Sequence, residues 1–370
     1  MTDNTALEVT MLQRTPLYGR HTSLNARMAP FGGWEMPIQY EGILAEHRYC
    51  RTEAALFDIC HMGEILCRGD VEKGWIDSLF TFPVSPIPVG RARYGFLLNE
   101  RGGIIDDLIV FKTGRSEAFV VTNAARTAVD FATIRERLSG GEVIDLSPQT
   151  AKLDLQGPRS REVLTRHLDP VLGDLPYFRF VKTSILGVEG IVSRTGYTGE
   201  LGYEIFLPVE RVGDLWDLLL SDDRVRPAGL GARDILRLEM GYSLYGNDID
   251  EEITPLEAGL LPFVDLSSSF VGKGTLLAMK ERGAPRGKIS FRIDGRRTPR
   301  HGYRVLVEGM DRGVVTSGCF SPTLSCGIGL AMVDTPLPGE GDRIVVTDGT
   351  ITMEGSVCQL PFHRGGSLRG

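Results

Sequence analysis

Cysteine and histidine are both scarce, at six of each in 370 residues. The cysteines stand at 50, 60, 67, 319, 326 and 358 and never form C-x-x-C. Thiols this few and this scattered cannot staple a long chain as they staple small secreted domains. They read as reduced, buried apolar residues. The dispersed histidines give a zinc centre no support, so no metal is expected. A basic surplus is also missing: 41 Lys and Arg face 48 Asp and Glu, a net −7. That balance argues against binding nucleic acid through bulk charge. No run approaches the ~18–20 apolar residues of a membrane helix. The N-terminal MTDNTALEVTMLQR holds Asp3 and Glu8 and lacks an apolar core, unlike a secretory signal or a basic transit peptide. A cytoplasmic enzyme without a membrane or nucleic-acid partner is expected. The phosphate-loop, Rossmann, H-E-x-x-H and G-x-S-x-G signatures are absent as well, which disfavours nucleotide hydrolysis, Rossmann redox chemistry and metalloprotease activity.

Glycine, by contrast, is abundant, with 45 residues against 20 prolines, and predicts many tight turns. Helical spacing runs over residues 41–56, HMGEILCRG reads as a strand, and VEKGWIDSLF reads as a helix. ARYGFLLNERGGIIDDLIVFK predicts a hairpin, EAFVVTN a strand, and residues 124–138 a helix. Strands and single helices in this order fit an α+β fold rather than a run of parallel βαβ units. After residue 283 short strands alternate with Gly, Pro and Asp turns, the pattern of a small all-β barrel or sandwich. The clearest boundary lies near residues 280–287, separating region 1–282 from region 283–370.

Three segments carry candidate chemistry. Asp106 and Asp107 adjoin inside an apolar strand. Parity sends them to opposite faces, Asp106 with Ile104, Leu108 and Val110, and Asp107 with Ile105, Ile109 and Phe111. A carboxylate desolvated there needs a partner; capping the hairpin turn is the plainer alternative. Gly196, Gly199 and Gly202 recur at spacing three, with Tyr197 and Glu204 beside them, a turn that admits close approach by a ligand or by another part of the chain. Pro227–Asp234 opens a helix with Arg233 near its start, against the dipole preference for acids there. Such a cation calls for an external anion or an internal carboxylate.

These segments together resemble the aminomethyltransferase, or T-protein, family of the glycine cleavage system. The resemblance runs from R-T-P-L-Y at 14–18 through F-G-G-W-E-M-P at 31–37, F-D-I-C-H-M-G-E at 57–64 and N-E-R-G-G-I-I-D-D-L-I-V at 99–110. It continues through Q-G-P at 156–158, R-T-G-Y-T-G-E at 194–200, P-A-G-L-G-A-R-D at 227–234, R-L-E-M-G-Y-S-L-Y-G at 237–246 and S-G-C-F-S-P-T-L at 317–324. It implies a cloverleaf-like arrangement around a central folate pocket, with two interleaved subdomains before residue 283 and a closing β-barrel. It implies transfer of a methylene unit from the aminomethyl-lipoyl arm of H-protein to tetrahydrofolate as co-substrate, with release of ammonia and 5,10-methylenetetrahydrofolate. Asp107 takes the family's catalytic position. Met62, Tyr94, Asn123, Tyr197, Glu204, Arg233, Tyr242 and Arg364 take its folate-contacting positions.

Chemistry agrees with those positions. Glu204 suits the paired N–H edge of an aminopyrimidinone, with Arg233 orienting it or facing the ligand's polar edge. Tyr197 and Tyr242 offer flat faces to rings, and Arg364 suits a glutamate-tail carboxylate. Asp107 supplies negative charge, or manages protons, where the transferred carbon becomes cationic. The chain departs from the family's usual pattern at Cys60, where Ser is common, and at His363, where an aromatic is common. About a dozen extra N-terminal residues read as a loose extension. Arginines and a lysine cluster over 282–300, either a solvated junction or a surface attracting an acidic partner. Another folate-dependent one-carbon transferase or demethylase, or a non-catalytic folate-binding accessory protein, is the alternative function.

Overall fold

The hairpin at Asn99–Gly103 forms as the sequence predicts, joining Arg91–Leu98 to Ile104–Lys112 in antiparallel register. Gly102 takes φ +81°, and a Cβ on Gly103 would lie 1.8 Å from the Glu251 carbonyl oxygen. Only glycine fits both demands. The computed structural model describes residues 11–369, so most of the N-terminal extension lies outside the described residues.

This hairpin belongs to a five-stranded antiparallel sheet completed by Glu117–Thr122, Gly63–Arg68 and Glu142–Asp145. A six-stranded sheet runs in the order Phe180–Ile185, Val188–Ser193, Gly202–Pro208, Thr150–Gln156, Ala54–Asp58 and Val225–Pro227, with only the last pairing parallel. The chain passes through the six-stranded sheet at Ala54–Asp58 before it enters the five-stranded one at Gly63. From Arg286 onward six strands close into a barrel. The α+β class and the C-terminal barrel thus match the sequence reading. Among the described residues no helix is long and apolar enough to cross a membrane.

Two local expectations need correction. Residues 41–56 divide into the helix Ile43–Thr52 and the buried strand Ala54–Asp58. VEKGWIDSLF forms one 3-10 turn, Val71–Lys73, instead of a helix. Gly74 stops it at φ +84°, and the Asp77 carboxylate turns away to accept the amides of Val84 and Ser85.

The two sheets meet across Phe111 and Phe119 on one side and Phe180 and Phe206 on the other, with ring centroids 5.1–6.0 Å apart. Edge-to-face packing of this kind adds ~0.5–1.5 kcal/mol per pair beyond area burial. The helix Leu230–Met240 packs Ile235 and Leu238 against Cys319, Ile328 and Leu330 of the barrel. The barrel is thereby fixed to the other two assemblies.

Candidate active site

Alternation along Thr150–Gln156 builds one wall. Ala151, Leu153 and Leu155 enter the core around Trp216, so Lys152, Asp154 and Gln156 project from the opposite face. Glu204 lies directly across from Asp154 on the adjacent strand, and Phe206 across from Lys152. Sequence reasoning paired Arg233 with Glu204 or a ligand; in the structure Arg233 pairs with Asp154. Glu204 instead accepts from the Thr195 hydroxyl and faces the Lys152 ammonium at 3.5 Å. The correction follows from sheet geometry, because Asp154 comes from a strand 79 residues distant from Arg233 in sequence. The glycine triplet also finds an internal neighbour. Cβ atoms on Gly196 and Gly202 would collide with the Gln156 amide, and one on Gly199 with Met240. Cys60 sits behind this wall, its thiol donating to the Lys152 carbonyl and accepting from the Lys152 amide, both at 3.4 Å.

The paired aspartates build the second wall. A register shift sets Leu97 opposite Asp106 and Leu98 opposite Ile104, leaving Ile105 as an extra residue. Such a bulge resets parity. Ile105, not Ile104, therefore shares the core with Leu108 and Val110, which corrects the face assigned from sequence. Both acids remain held by Asn123. Its side-chain amide donates to Asp106 Oδ1 and Asp107 Oδ1, each at 2.8 Å, and its backbone amide donates to Asp106 Oδ2 at 2.9 Å. Tyr94 donates its hydroxyl to Asp107 Oδ2 at 2.9 Å. Burial, then the charge of Asp106, pushes the Asp107 carboxyl up to about 7. Burial, then the charge of Asp130, holds Asp106 well above the carboxylate range.

Tyr197 and Tyr242 stack with centroids 5.7 Å apart, and Tyr197 donates its hydroxyl to the Ser243 carbonyl. Burial raises the Tyr197 hydroxyl pKa, and the charges of Asp107 and Asp248 add to that while Arg237 and Arg233 oppose it. The Arg233 guanidinium lies 5.1 Å from the Tyr197 ring centroid. Electrostatic reach therefore connects both walls to the tyrosine pair. Met62 packs against the aromatic contact between the sheets. Arg364 is exposed and pairs with no described residue, whereas His363 turns inward to 3.9 Å from Glu200.

Lys152, Asp154 and Asp130 escaped sequence reasoning, as did Glu64. Asp130 is buried against Asp106, and Glu64 is buried with no hydrogen-bond partner on its carboxylate oxygens among the described residues. The K-x-D-x-Q alternation before Gly157-Pro158 was the available signal, but it reads equally as a solvent-facing strand. The 282–300 basic strip is likewise divided. Arg286 pairs with Glu257, Lys288 donates to Ser243 and Arg292 to the Phe362 carbonyl, while Arg296 and Arg297 stay exposed on the barrel.

A pH effect follows from the buried acids. Burial lifts Asp107 and Asp130 to about 7 and Glu64 to about 8. The native state retains these protons after the unfolded chain has lost them, so stability falls as pH rises. Thermal melts should show a decline from pH 5 to pH 8, from the usual carboxylate range of ~4 through the folded values. A melting temperature that rises across this window would show these acids to be ionised in the native state.

Residues 17–268 match the family described as GCVT N-terminal domain, and residues 286–363 match the one described as glycine cleavage T-protein C-terminal barrel domain. The chain is 44% identical over 358 residues to the aminomethyltransferase of Halothermothrix orenii, covering 95% of this chain and 100% of that one. It is 43% identical over 364 residues to the Thermotoga maritima aminomethyltransferase, covering 97% of this chain and 100% of the relative. The crystal structure of glycine cleavage system aminomethyltransferase T from Bartonella henselae superposes with a TM-score of 0.90 at 33% identity, covering 96% and 99% of the two chains. The chain belongs to the aminomethyltransferase family, the T-proteins of the glycine cleavage system.

Proposed function

We propose that this aminomethyltransferase moves the methylene carbon of the aminomethyl-lipoyl arm of H-protein to tetrahydrofolate in the cytoplasm, releasing ammonia and 5,10-methylenetetrahydrofolate. The observation that carries the reading is the Asp107 carboxylate, half-buried within electrostatic range of Tyr197 and gripped on both oxygens by Tyr94 and Asn123. Tetrahydrofolate, as substrate, supplies the nitrogens that accept the carbon. The donor set fits it: flat Tyr197 and Tyr242 faces for its rings and a buried Glu204 carboxylate for its N–H edge. Asp107 lies where the carbon becomes cationic as the amine departs, and a fixed, desolvated charge acts strongly there. Asn123 and Tyr94 orient that charge. Met62 helps close the space to water, and Arg364, exposed near the C-terminus, is free to meet the glutamate tail.

Ammonia release with tetrahydrofolate and aminomethyl-loaded H-protein tests the reading. Folate binding without turnover would make the chain an accessory protein, and turnover with only a methylated small donor would make it a different one-carbon transferase. Glu204→Gln should weaken tetrahydrofolate binding by ~1–3 kcal/mol, because it turns an acceptor into a donor against a ligand N–H. Its turnover at saturating folate should fall less. Unchanged affinity in a titration would remove Glu204 from the folate site.

Docking of the partner gives a separate expectation. Arg296, stacked 4.8 Å from the Phe320 ring centroid, and Arg297 are exposed on the barrel. Attraction between such charges and an acidic partner extends over ~10 Å at 0.1 M salt and acts mainly on association. Changing both to Gln should raise the KM for H-protein at low salt, with the difference shrinking as salt rises and kcat near wild type. A salt-independent loss of kcat would place them elsewhere than in docking.

A further inference from the structure

The Lys152 ammonium is the least satisfied cation of the site. Its side chain is 1% exposed, yet it donates no hydrogen bond to any described residue. Glu204 Oε1 lies 3.5 Å away, beyond good N–H···O geometry, and the Phe206 ring centroid lies 5.2 Å away. An ammonium carries three donors, and burying them unused is costly. Its surroundings offer little relief. Asp154, two residues along the same strand face, is taken by Arg233, and Cys60 is engaged with the Lys152 backbone. His61, buried beneath the same wall, is held neutral by burial, its pKa lowered to about 3. Glu64 lies within electrostatic range on the facing sheet without accepting a hydrogen bond.

We propose that Lys152 is a specificity-determining residue that donates to an acceptor on the bound heterocycle beside the N–H pair taken by Glu204. The proposal rests on the reading of Glu204 as the folate-edge acceptor. Lys152 and Glu204 occupy adjacent strands and the same sheet face, so they present one cluster of donors next to two carboxylate oxygens. Thr195 uses one acceptor position on Oε2; each carboxylate oxygen retains capacity for a ligand N–H. The complement of this arrangement is an edge reading acceptor, donor, donor. A 2-amino-4-oxo pteridine has that edge in its 4-carbonyl, ring N–H and 2-amino group. A 2,4-diamino pteridine does not, because its 4-amino group places N–H donors against the ammonium. Lys152 therefore selects the oxo form of the ring, and Glu204 alone does not account for the full preference.

The test is equilibrium binding of tetrahydrofolate and of its 4-amino-4-deoxy analogue, both under anaerobic conditions, to wild type, Lys152→Met and Lys152→Gln. Wild type should favour the oxo compound by about 10–100-fold, the range of a buried donor–acceptor mismatch. Lys152→Met should cut that ratio at least ~tenfold, since it removes both the attraction and the clash. Lys152→Gln, which retains a neutral donor of similar length, should give an intermediate ratio, and melting curves should confirm that each variant folds. Equal wild-type affinity for the two compounds, or an unchanged ratio in either folded variant, would overturn the role of Lys152 and leave the folate reading intact. A wild-type protein that binds neither compound would overturn the folate reading, and this inference with it.

Discussion

Asp107→Asn is expected to lower the rate of ammonia release by about 10²–10³-fold while the fold and tetrahydrofolate affinity persist. The amide is isosteric, but it carries no charge and sets an NH2 group against either Asn123 Nδ2 or the Tyr94 hydroxyl, both of which donate to Asp107. Asp106→Asn should be milder, within about tenfold. Asp106 takes its hydrogen bonds from Asn123 and acts on Asp107 through that residue. The pH profile separates charge from geometry. In the proposed reaction Asp107 acts as the carboxylate, and because its pKa is pushed up to about 7, wild-type activity should fall as pH drops through that value. The residual rate of Asp107→Asn should lack that acid limb. Its stability has the opposite sign, because removing a buried group that resists ionising should leave the melting temperature at pH 8 unchanged or higher. Equal losses for both aspartates, or an unfolded Asp107→Asn, would contradict the assignment.

Arg51→Met should destabilise the chain by about 3–5 kcal/mol, the typical cost of removing one partner from a buried ion pair. The Arg51 guanidinium bridges Glu200 at 2.7 Å and Glu239 at 2.6 Å, and all three side chains are at most 8% exposed. Glu239 also receives His47 Nε2 at 2.9 Å and the Ser321 hydroxyl, while Glu200 accepts the backbone amide of Ser367 at 2.7 Å. One cation thus links the helix Ile43–Thr52, the helix Leu230–Met240, the barrel and the C-terminal segment. Without it two buried carboxylates lose the guanidinium they share. Urea unfolding monitored by far-UV dichroism checks the magnitude, and adding Glu239→Gln to Arg51→Met should recover part of the loss. A loss below about 1 kcal/mol would mean that water or rearranged neighbours replace the guanidinium.

Local chemistry made much of this protein legible from its residues alone. Gly102 and Gly103 require a turn, so the hairpin carrying Asp106 and Asp107 was readable, as were the short strands and turns of the barrel. The ordered motifs identified the family, and the resemblance proposes Tyr94, Asn123, Tyr197, Glu204 and Tyr242 as its folate-contacting positions. Tertiary structure decided which charges meet. Arg233 turned to Asp154 and Glu204 to Lys152, because strands distant in sequence became neighbours in one sheet. A single bulge exchanged the faces of Ile104 and Ile105, which strict alternation cannot foresee. The Lys152–Gln156 strand shows the limit most directly. Alternation fixes which side chains share a face, but whether water, a second sheet or a ligand covers that face depends on contacts formed across the whole chain.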